Sequence, residues 1–165
     1  MIKLILTLTL IVSASFVGNS FSQRLINRRK TLTKLLGAIS HAKTLICFGG
    51  AEVSAVIEES FCNDGFKLLD FESSQAQLPY DKAFADSVNK ISSKYALTKS
   101  DKELLIQFGV NLGSTDVTGQ VAHTELYTQL FTERLCYVKE QELSKSKLYR
   151  ILGFSFGCLV SLIIV

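Results

Sequence analysis

The stretch QVAHTELYTQLFTERLCYVKEQELSKSKLYRIL, residues 120–152, contains neither glycine nor proline. These 33 residues predict one unbroken helix, roughly 50 Å long at 1.5 Å per residue. Its apolar face is broader than a two-stranded coiled-coil seam, so we expect it to pack against several helices. The helix turns basic at Lys145, Lys147 and Arg150 and then enters the uncharged residues 151–165. We therefore expect a water-exposed helix to continue into a membrane without a break.

The amino-terminal segment MIKLILTLTLIVSASFVG, residues 1–18, is also apolar, with Lys3 as its one charge. One interpretation is an uncleaved membrane helix over residues 2–21, which reaches the roughly 20 residues that a bilayer requires. The alternative is a cleaved signal peptide, with Lys3 before an apolar core and a cleavage site at residues 13–15. The sequence leaves cleavage of residues 1–15 open.

The charges that flank the two apolar segments favour the membrane helix. Residues 24–34 hold five basic side chains, and no acid occurs before Glu52. A second basic cluster precedes residue 151. Because positive flanks stay on the cytoplasmic side, both clusters predict a cytoplasmic central domain with both termini outside. The basic block adjoins an apolar segment, which indicates membrane topology rather than nucleic-acid binding.

The predicted fold class is all-α. We expect a membrane helix over residues 1–21, a cytosolic helical domain over 22–147 and a second membrane helix over 148–165. One apolar stripe recurs every seven residues on the first cytosolic helix, ending at a Gly-Gly pair, and shorter helices are expected over residues 51–62 and 80–95. Residues 63–80 carry no decisive pattern. The stripe consists of Leu25, Leu32, Ile39 and Ile46.

The helix over residues 98–113 has the clearest boundaries. Ser100 and Glu103 have the spacing of a capping box, and Gly113 is placed to end the helix. The segment 114–116 then supplies an N-cap for the long final helix. So short a connection predicts that the two helices are antiparallel neighbours.

Small residues recur at four-residue steps in the last apolar segment, a spacing that lets membrane helices approach closely. Ala14 and Gly18 repeat the spacing near the amino terminus. The candidate residues for packing in the membrane are Gly153, Gly157 and Ser161.

The sequence offers no pattern for catalysis, for a metal or for a cofactor. Its two histidines are far apart, and its four cysteines form no C-x-x-C pair, so neither gives metal-ligand spacing. Two disulfides are conceivable, but unpaired thiols are the simpler interpretation. No phosphate-binding loop, dinucleotide fingerprint or nucleophile elbow occurs. We therefore expect a non-enzymatic protein.

The last third of the chain resembles the stage III sporulation protein AB family of endospore-forming bacteria. The resemblance rests on Leu97, Thr98, Asp101, Leu105, Phe108, Gly109, Leu112, Gly113, Asp116, Gln120 and His123, then on residues 147–150, Leu152, Gly153 and Gly157.

The resemblance implies a cytosolic helical bundle between two membrane helices, similar to the inner-membrane platform (F component) of type II secretion systems. It implies a membrane platform in a secretion-like channel complex between mother cell and forespore, on the mother-cell side of the outer forespore membrane. The implied partners are other stage III sporulation membrane proteins and a secretion-type ATPase; nucleic acid is not among them, and self-association into a homo-oligomer stays open. The alternative is an exported helical protein with a carboxy-terminal anchor that binds an extracellular partner.

The resemblance is densest over residues 109–123, which gives the second set of candidate site residues. Gln120 and His123 are three apart and share a helix face. One interpretation is that they bond carbonyls at the end of the preceding helix and lock the turn. The other is that the turn forms a docking surface for the motor or a neighbouring subunit. The set consists of Phe108, Gly109, Leu112, Gly113, Gln120 and His123.

Overall fold

The computed structural model describes residues 2–49, 52–62, 80–92 and 94–164. Every regular element in these ranges is helical, which confirms the all-α class. Residues 63–80 have no decisive sequence pattern, and positions 63–79 of that segment lie outside the described residues. In chain order the helices are α1 (Ile2–Gly49), α2 (Val53–Ile57), α3 (Tyr80–Ser92), α4 (Lys99–Asn111) and α5 (Val117–Ile164).

Helices α1 and α5 each contain 48 residues, a length of roughly 70 Å. The predicted continuity of the last helix is confirmed, since α5 runs through position 152 to Ile164. At the other end, the apolar segment and the following basic segment were predicted as separate helices, but they form one element, α1. Within the described parts of the chain, no helix has a stretch that is both long and apolar enough to cross a membrane.

The chain divides into two compact units. The terminal unit consists of Met1–Arg29 and Cys136–Val165, and the central unit consists of Lys30–Leu135. Both long helices contribute to both units. The membrane boundaries expected at residues 21 and 148 stay predictions.

The core of the central unit is built around four fully buried phenylalanines, together with the apolar face of α1. Leu32, Ile39 and Ile46 of the predicted stripe are buried there, which confirms the face of that helix. Full burial of side chains of this size contributes roughly 1.5–3 kcal/mol each. The four rings are those of Phe61, Phe84, Phe108 and Phe131.

The capping box predicted at Ser100 and Glu103 is wrong, because the N-cap lies two residues earlier, at Thr98. The N-cap of α4 is Thr98, whose side chain accepts a hydrogen bond from the Asp101 N–H at 3.3 Å. The Asp101 carboxylate in turn accepts the Thr98 N–H at 3.1 Å. Asp replaces the usual Glu at the third helical position of this motif. Ser100 and Glu103 lie inside α4 and are exposed.

The remaining predicted boundaries differ from the structure by a few residues. The predicted helix over residues 51–62 becomes the short α2 followed by wide π-type turns over Glu58–Cys62. The predicted helix over residues 80–95 ends at Ser92 as α3. Asp116 caps α5 as expected, since its Oδ1 accepts the Gly119 N–H at 3.0 Å. None of the four cysteines, all of which lie in described parts of the chain, forms a disulfide.

Candidate functional site

The turn between α4 and α5 lies in the central unit, and its hydrogen bonds satisfy the end of α4. The last four carbonyls of a helix have no partner inside the helix. The Leu112 N–H donates to the Gly109 carbonyl at 3.3 Å. Ser114 Oγ donates to the Asn111 carbonyl at 2.7 Å. In both bonds, a residue that follows α4 in the chain donates to a carbonyl of its last turn.

The Phe108 carbonyl is satisfied from α5 instead. His123 Nε2 lies 3.0 Å from that oxygen. A carbonyl can only accept, so the imidazole carries its proton on Nε2. Gln120 acts within the turn rather than on α4: its Nε2 donates to the Thr115 carbonyl at 3.0 Å. The predicted carbonyl contact therefore involves His123, and the turn-locking role of Gln120 stays a prediction.

Four aromatic side chains surround this hydrogen bond. The His123 ring stacks on the Phe108 ring, with centroids 5.5 Å apart and an interplanar angle of 11°. The Tyr127 ring meets both of them, at 5.5 Å from Phe108 and 4.6 Å from His123. Phe61 joins from the π-type segment at 6.0 Å from Phe108. Phe108 is fully buried at the centre of this cluster. The cluster therefore joins the π-type segment, α4 and α5.

Gly109 and Gly113 are each required at their positions by a close neighbour. A Cβ on Gly109 would lie 2.2 Å from Cε1 of the buried Phe84 ring. Gly113 has a φ of +83°, and a Cβ there would lie 2.3 Å from Val53 Cγ2. The left-handed conformation at Gly113 is the usual end of a helix. Leu112, next to Gly113 in the chain, is buried. Of the six candidate residues, the structure brings Phe108 and His123 into direct contact.

An ion pair that the sequence did not predict joins α4 to α5 in the central unit. Arg134 Nη1 lies 3.3 Å from Asp101 Oδ1, and the Asp101 side chain is completely buried. Asp101 pairs with position 134 and Phe108 with position 123, so the two helices are antiparallel, as the short connection predicts. The available signal was Asp101 itself, an acid three residues after a threonine before an apolar run.

A second ion pair lies on α1 and α5 within the central unit. Lys43 Nζ and Glu125 Oε1 are 2.7 Å apart. The hydrogen bond to the Glu125 carboxylate raises the pKa of Lys43 above its ordinary value. Both side chains are substantially exposed, so the pair contributes little to stability.

The candidate residues for packing in the membrane lie in the terminal unit, where α1 and α5 approach closely at Gly18 and Gly153. A Cβ on Gly153 would lie 3.1 Å from Gly18 Cα and 2.9 Å from the Ala14 carbonyl oxygen. A Cβ on Gly18 would lie 2.5 Å from the Tyr149 carbonyl oxygen. The backbones are thus too close for any larger residue at either glycine. Gly157 is buried, and the side chain of Ser161 lies outside the described residues.

Polar contacts continue the pairing of α1 and α5 in the terminal unit. The hydroxyls of Ser22 and Ser146 lie 2.6 Å apart and are buried. Further along, Arg29 Nε donates to Glu142 Oε2 at 2.6 Å. Arg150 Nε donates to Ser22 Oγ at 3.3 Å. Positions rise along α1 as their partners fall along α5, so the helices form an antiparallel pair.

Large apolar side chains cover the outside of this helix pair. Phe16 is 72% exposed and Phe156 is 67% exposed. Scattered apolar side chains are normal at a protein surface, but a dense set marks a surface that binds something apolar. The other members, all more than half exposed, are Val12, Val17, Phe21, Ile151, Leu152, Phe154 and Leu159.

Comparison with known proteins agrees with the family resemblance seen in the sequence. The model of the stage III sporulation protein AB family matches residues 3–165. The chain is similar to stage III sporulation protein AB of Bacillus subtilis (strain 168), with 23% identity over 171 residues that cover all of both chains. No solved structure matches. The chain therefore belongs to the stage III sporulation protein AB family.

Proposed function

We propose that this protein is a two-pass membrane platform in a secretion-like channel complex that joins mother cell and forespore. Family membership supports a role in sporulation. The finer proposal assigns an assembly function: the terminal unit holds the protein in the membrane, and the central unit binds cytosolic components of the complex. No chemical step is assigned to the chain.

The observation that carries the proposal is the combination of a glycine contact inside the helix pair with apolar side chains outside it. In a membrane, lipid tails give apolar side chains no reason to associate, so helix pairs depend on close backbone approach and on interhelical hydrogen bonds. The Gly18–Gly153 approach and the Ser22–Ser146 hydroxyl pair supply these two features. The outward apolar side chains, such as Phe16, suit contact with lipid.

Charge supports a cytoplasmic location for the central unit. Arg24, Lys145 and Lys147 are exposed and lie where both helices leave the apolar segments. Retention of such flanks on the cytoplasmic side places both termini outside. In a sporulating cell this puts the central unit on the mother-cell side of the outer forespore membrane.

The proposed partners are a secretion-type ATPase and other stage III sporulation membrane proteins, with self-association as a further option. The α4–α5 turn offers a surface for them. Phe108 and Leu112 point inward, so a partner would meet the exposed side chains of the turn, which include Val110 and Val117. The central unit would then act as the inner-membrane platform of a type II secretion system does.

Co-purification from sporulating cells tests the proposal. We expect the tagged protein, solubilised in mild detergent, to capture the ATPase and at least one further stage III membrane protein. Gly153→Leu should abolish this capture, because its side chain would collide with Gly18. Ser155→Leu, a change of similar size at an exposed position of α5, should leave capture intact. Failure of the unaltered protein to capture either partner would refute the platform function.

A further inference from the structure

An open cleft of about 390 Å³ lies on the surface of the terminal unit. Four of its lining residues come from α1 at positions 12, 15, 16 and 19, a spacing that puts them on one helix face. The fifth, Arg150, comes from α5. From Val12 to Asn19 the cleft follows about 10 Å of helix. One end of the cleft is apolar, at Val12 and Phe16, and the other end is polar, at Asn19 and Arg150.

The polar end presents the cation of Arg150, an exposed side chain that one hydrogen bond anchors to α1. Arg150 Nε donates to Ser22 Oγ, which is itself bonded to the buried Ser146 hydroxyl. The terminal Nη groups of Arg150 have no hydrogen-bond partner among the described residues. A guanidinium held by one nitrogen in this way keeps a planar pair of donors for a phosphate.

The surroundings of Arg150 favour an anion. None of the five cleft residues is acidic, and the nearby Glu142 is already paired with Arg29 at 2.6 Å. Lys145 and Lys147 add exposed positive charge one turn away. Each Lys or Arg close to an anionic membrane surface strengthens binding by roughly 1 kcal/mol, about fivefold.

The apolar end continues into a second depression of about 490 Å³, which shares Val12 and Phe16 with the cleft. Its lining is almost wholly apolar, which suits an acyl chain. The order of the features along the helices also fits a lipid. Arg150 is the last charged residue before the apolar residues 151–165, and Asn19 directly follows the apolar residues 1–18.

We infer that this cleft binds one anionic phospholipid, with its phosphate on Arg150 and an acyl chain along Val12 and Phe16. The inference rests on the proposed membrane insertion and deepens it. A bound lipid would fill the cleft between α1 and α5 at the level where the helix pair meets the headgroups. The same phosphate chemistry could come from a free phosphate ester, and the two sources differ in whether the apolar half of the cleft contributes.

Native mass spectrometry of the full chain in detergent tests the inference, with three probes added in turn: phosphatidylglycerol, phosphatidylcholine and glycerol 3-phosphate. We expect phosphatidylglycerol to bind at least fivefold more tightly than either other probe. Arg150→Gln should remove that preference, and Arg150→Lys should retain part of it. Lys139→Gln removes the same charge from an exposed residue of α5 that lies eleven positions before Arg150, and should change the affinity less than twofold.

Three results would overturn the lipid site. These are equal binding of the two phospholipids, equal losses in Arg150→Gln and Lys139→Gln, or glycerol 3-phosphate binding as tightly as phosphatidylglycerol. Extraction of cell membranes with alkaline carbonate separates this outcome from failure of the proposed function. Protein that resists extraction but shows no lipid preference refutes the site alone, whereas protein that carbonate releases refutes membrane insertion.

Discussion

Replacement of His123 measures how much the α4–α5 turn depends on a single side chain. His123→Ala removes the hydrogen bond to the Phe108 carbonyl and the stacked contact with the Phe108 ring. A hydrogen bond of this kind contributes about 0.5–1.5 kcal/mol net. An aromatic pair contributes about 0.5–1.5 kcal/mol beyond its buried area. We therefore expect a loss of about 2 kcal/mol in the free energy of unfolding.

His123→Phe separates the two contributions. Phenylalanine keeps a ring beside Phe108 and Tyr127 but cannot donate to the carbonyl, so we expect a loss of about 1 kcal/mol. Gln120→Ala is the control, because its bond to the Thr115 carbonyl is exposed and should cost less than either change.

Thermal unfolding of the full chain in mild detergent, followed by circular dichroism at 222 nm, gives the readout. At roughly 2–4 °C per kcal/mol, we expect His123→Ala to lower Tm by about 4–8 °C and His123→Phe by about half as much. A Tm for His123→Ala within 1 °C of the unaltered protein would refute turn-locking by this residue. If such a variant also lost partner capture, the turn would act as a docking surface instead.

Three further changes test other contacts, each by unfolding in the same detergent. Asp101→Ala should destabilise the chain by about 2–4 kcal/mol, because it removes the carboxylate half of the capping box at Thr98 and leaves a guanidinium on α5 without its buried partner; a loss below 1 kcal/mol would contradict this. Gly109→Ala should cost about 1–2 kcal/mol although alanine favours helices by about 1 kcal/mol, since the new Cβ overpacks against the buried Phe84 ring; a rise in Tm would show that the ring moves aside freely. Ser22→Ala should cost about 1 kcal/mol by leaving the Ser146 hydroxyl unpaired, and the double change to alanine should cost no more; additive losses would exclude coupling between the two hydroxyls.

The helices could be predicted from sequence because their signals are local. The absence of glycine and proline over residues 120–152 predicts that the last helix is continuous. The apolar residues that recur every seven positions identify the buried face of α1. The capping box was misplaced because Thr98 and Ser100 both precede an acid by three residues. The choice between them depends on which backbone position leaves the helical conformation, and Thr98, with a ψ of 162°, is that position.

The partners of the candidate residues could not be predicted, because each contact joins distant parts of the chain. Spacing places Gln120 and His123 on one face of α5, but only the antiparallel packing of α4 gives His123 the Phe108 carbonyl. Small-residue spacing likewise identifies Gly153 without identifying Gly18 as the residue that it meets. Arg150 was predicted only as part of a basic flank, and its hydrogen bond to Ser22 depends on the pairing of α1 with α5.

The most direct test of the membrane platform is the side of the membrane on which the central unit lies. Cys47 and Cys136 are both exposed, so a membrane-impermeant thiol reagent can report their location without denaturation. In intact cells that express the protein outside sporulation, we expect neither thiol to react, and both should react once the membrane is permeabilised. A Lys3→Cys variant with its four native cysteines replaced by serine is the control and should react in intact cells. Labelling of Cys47 in intact cells would contradict the proposed topology.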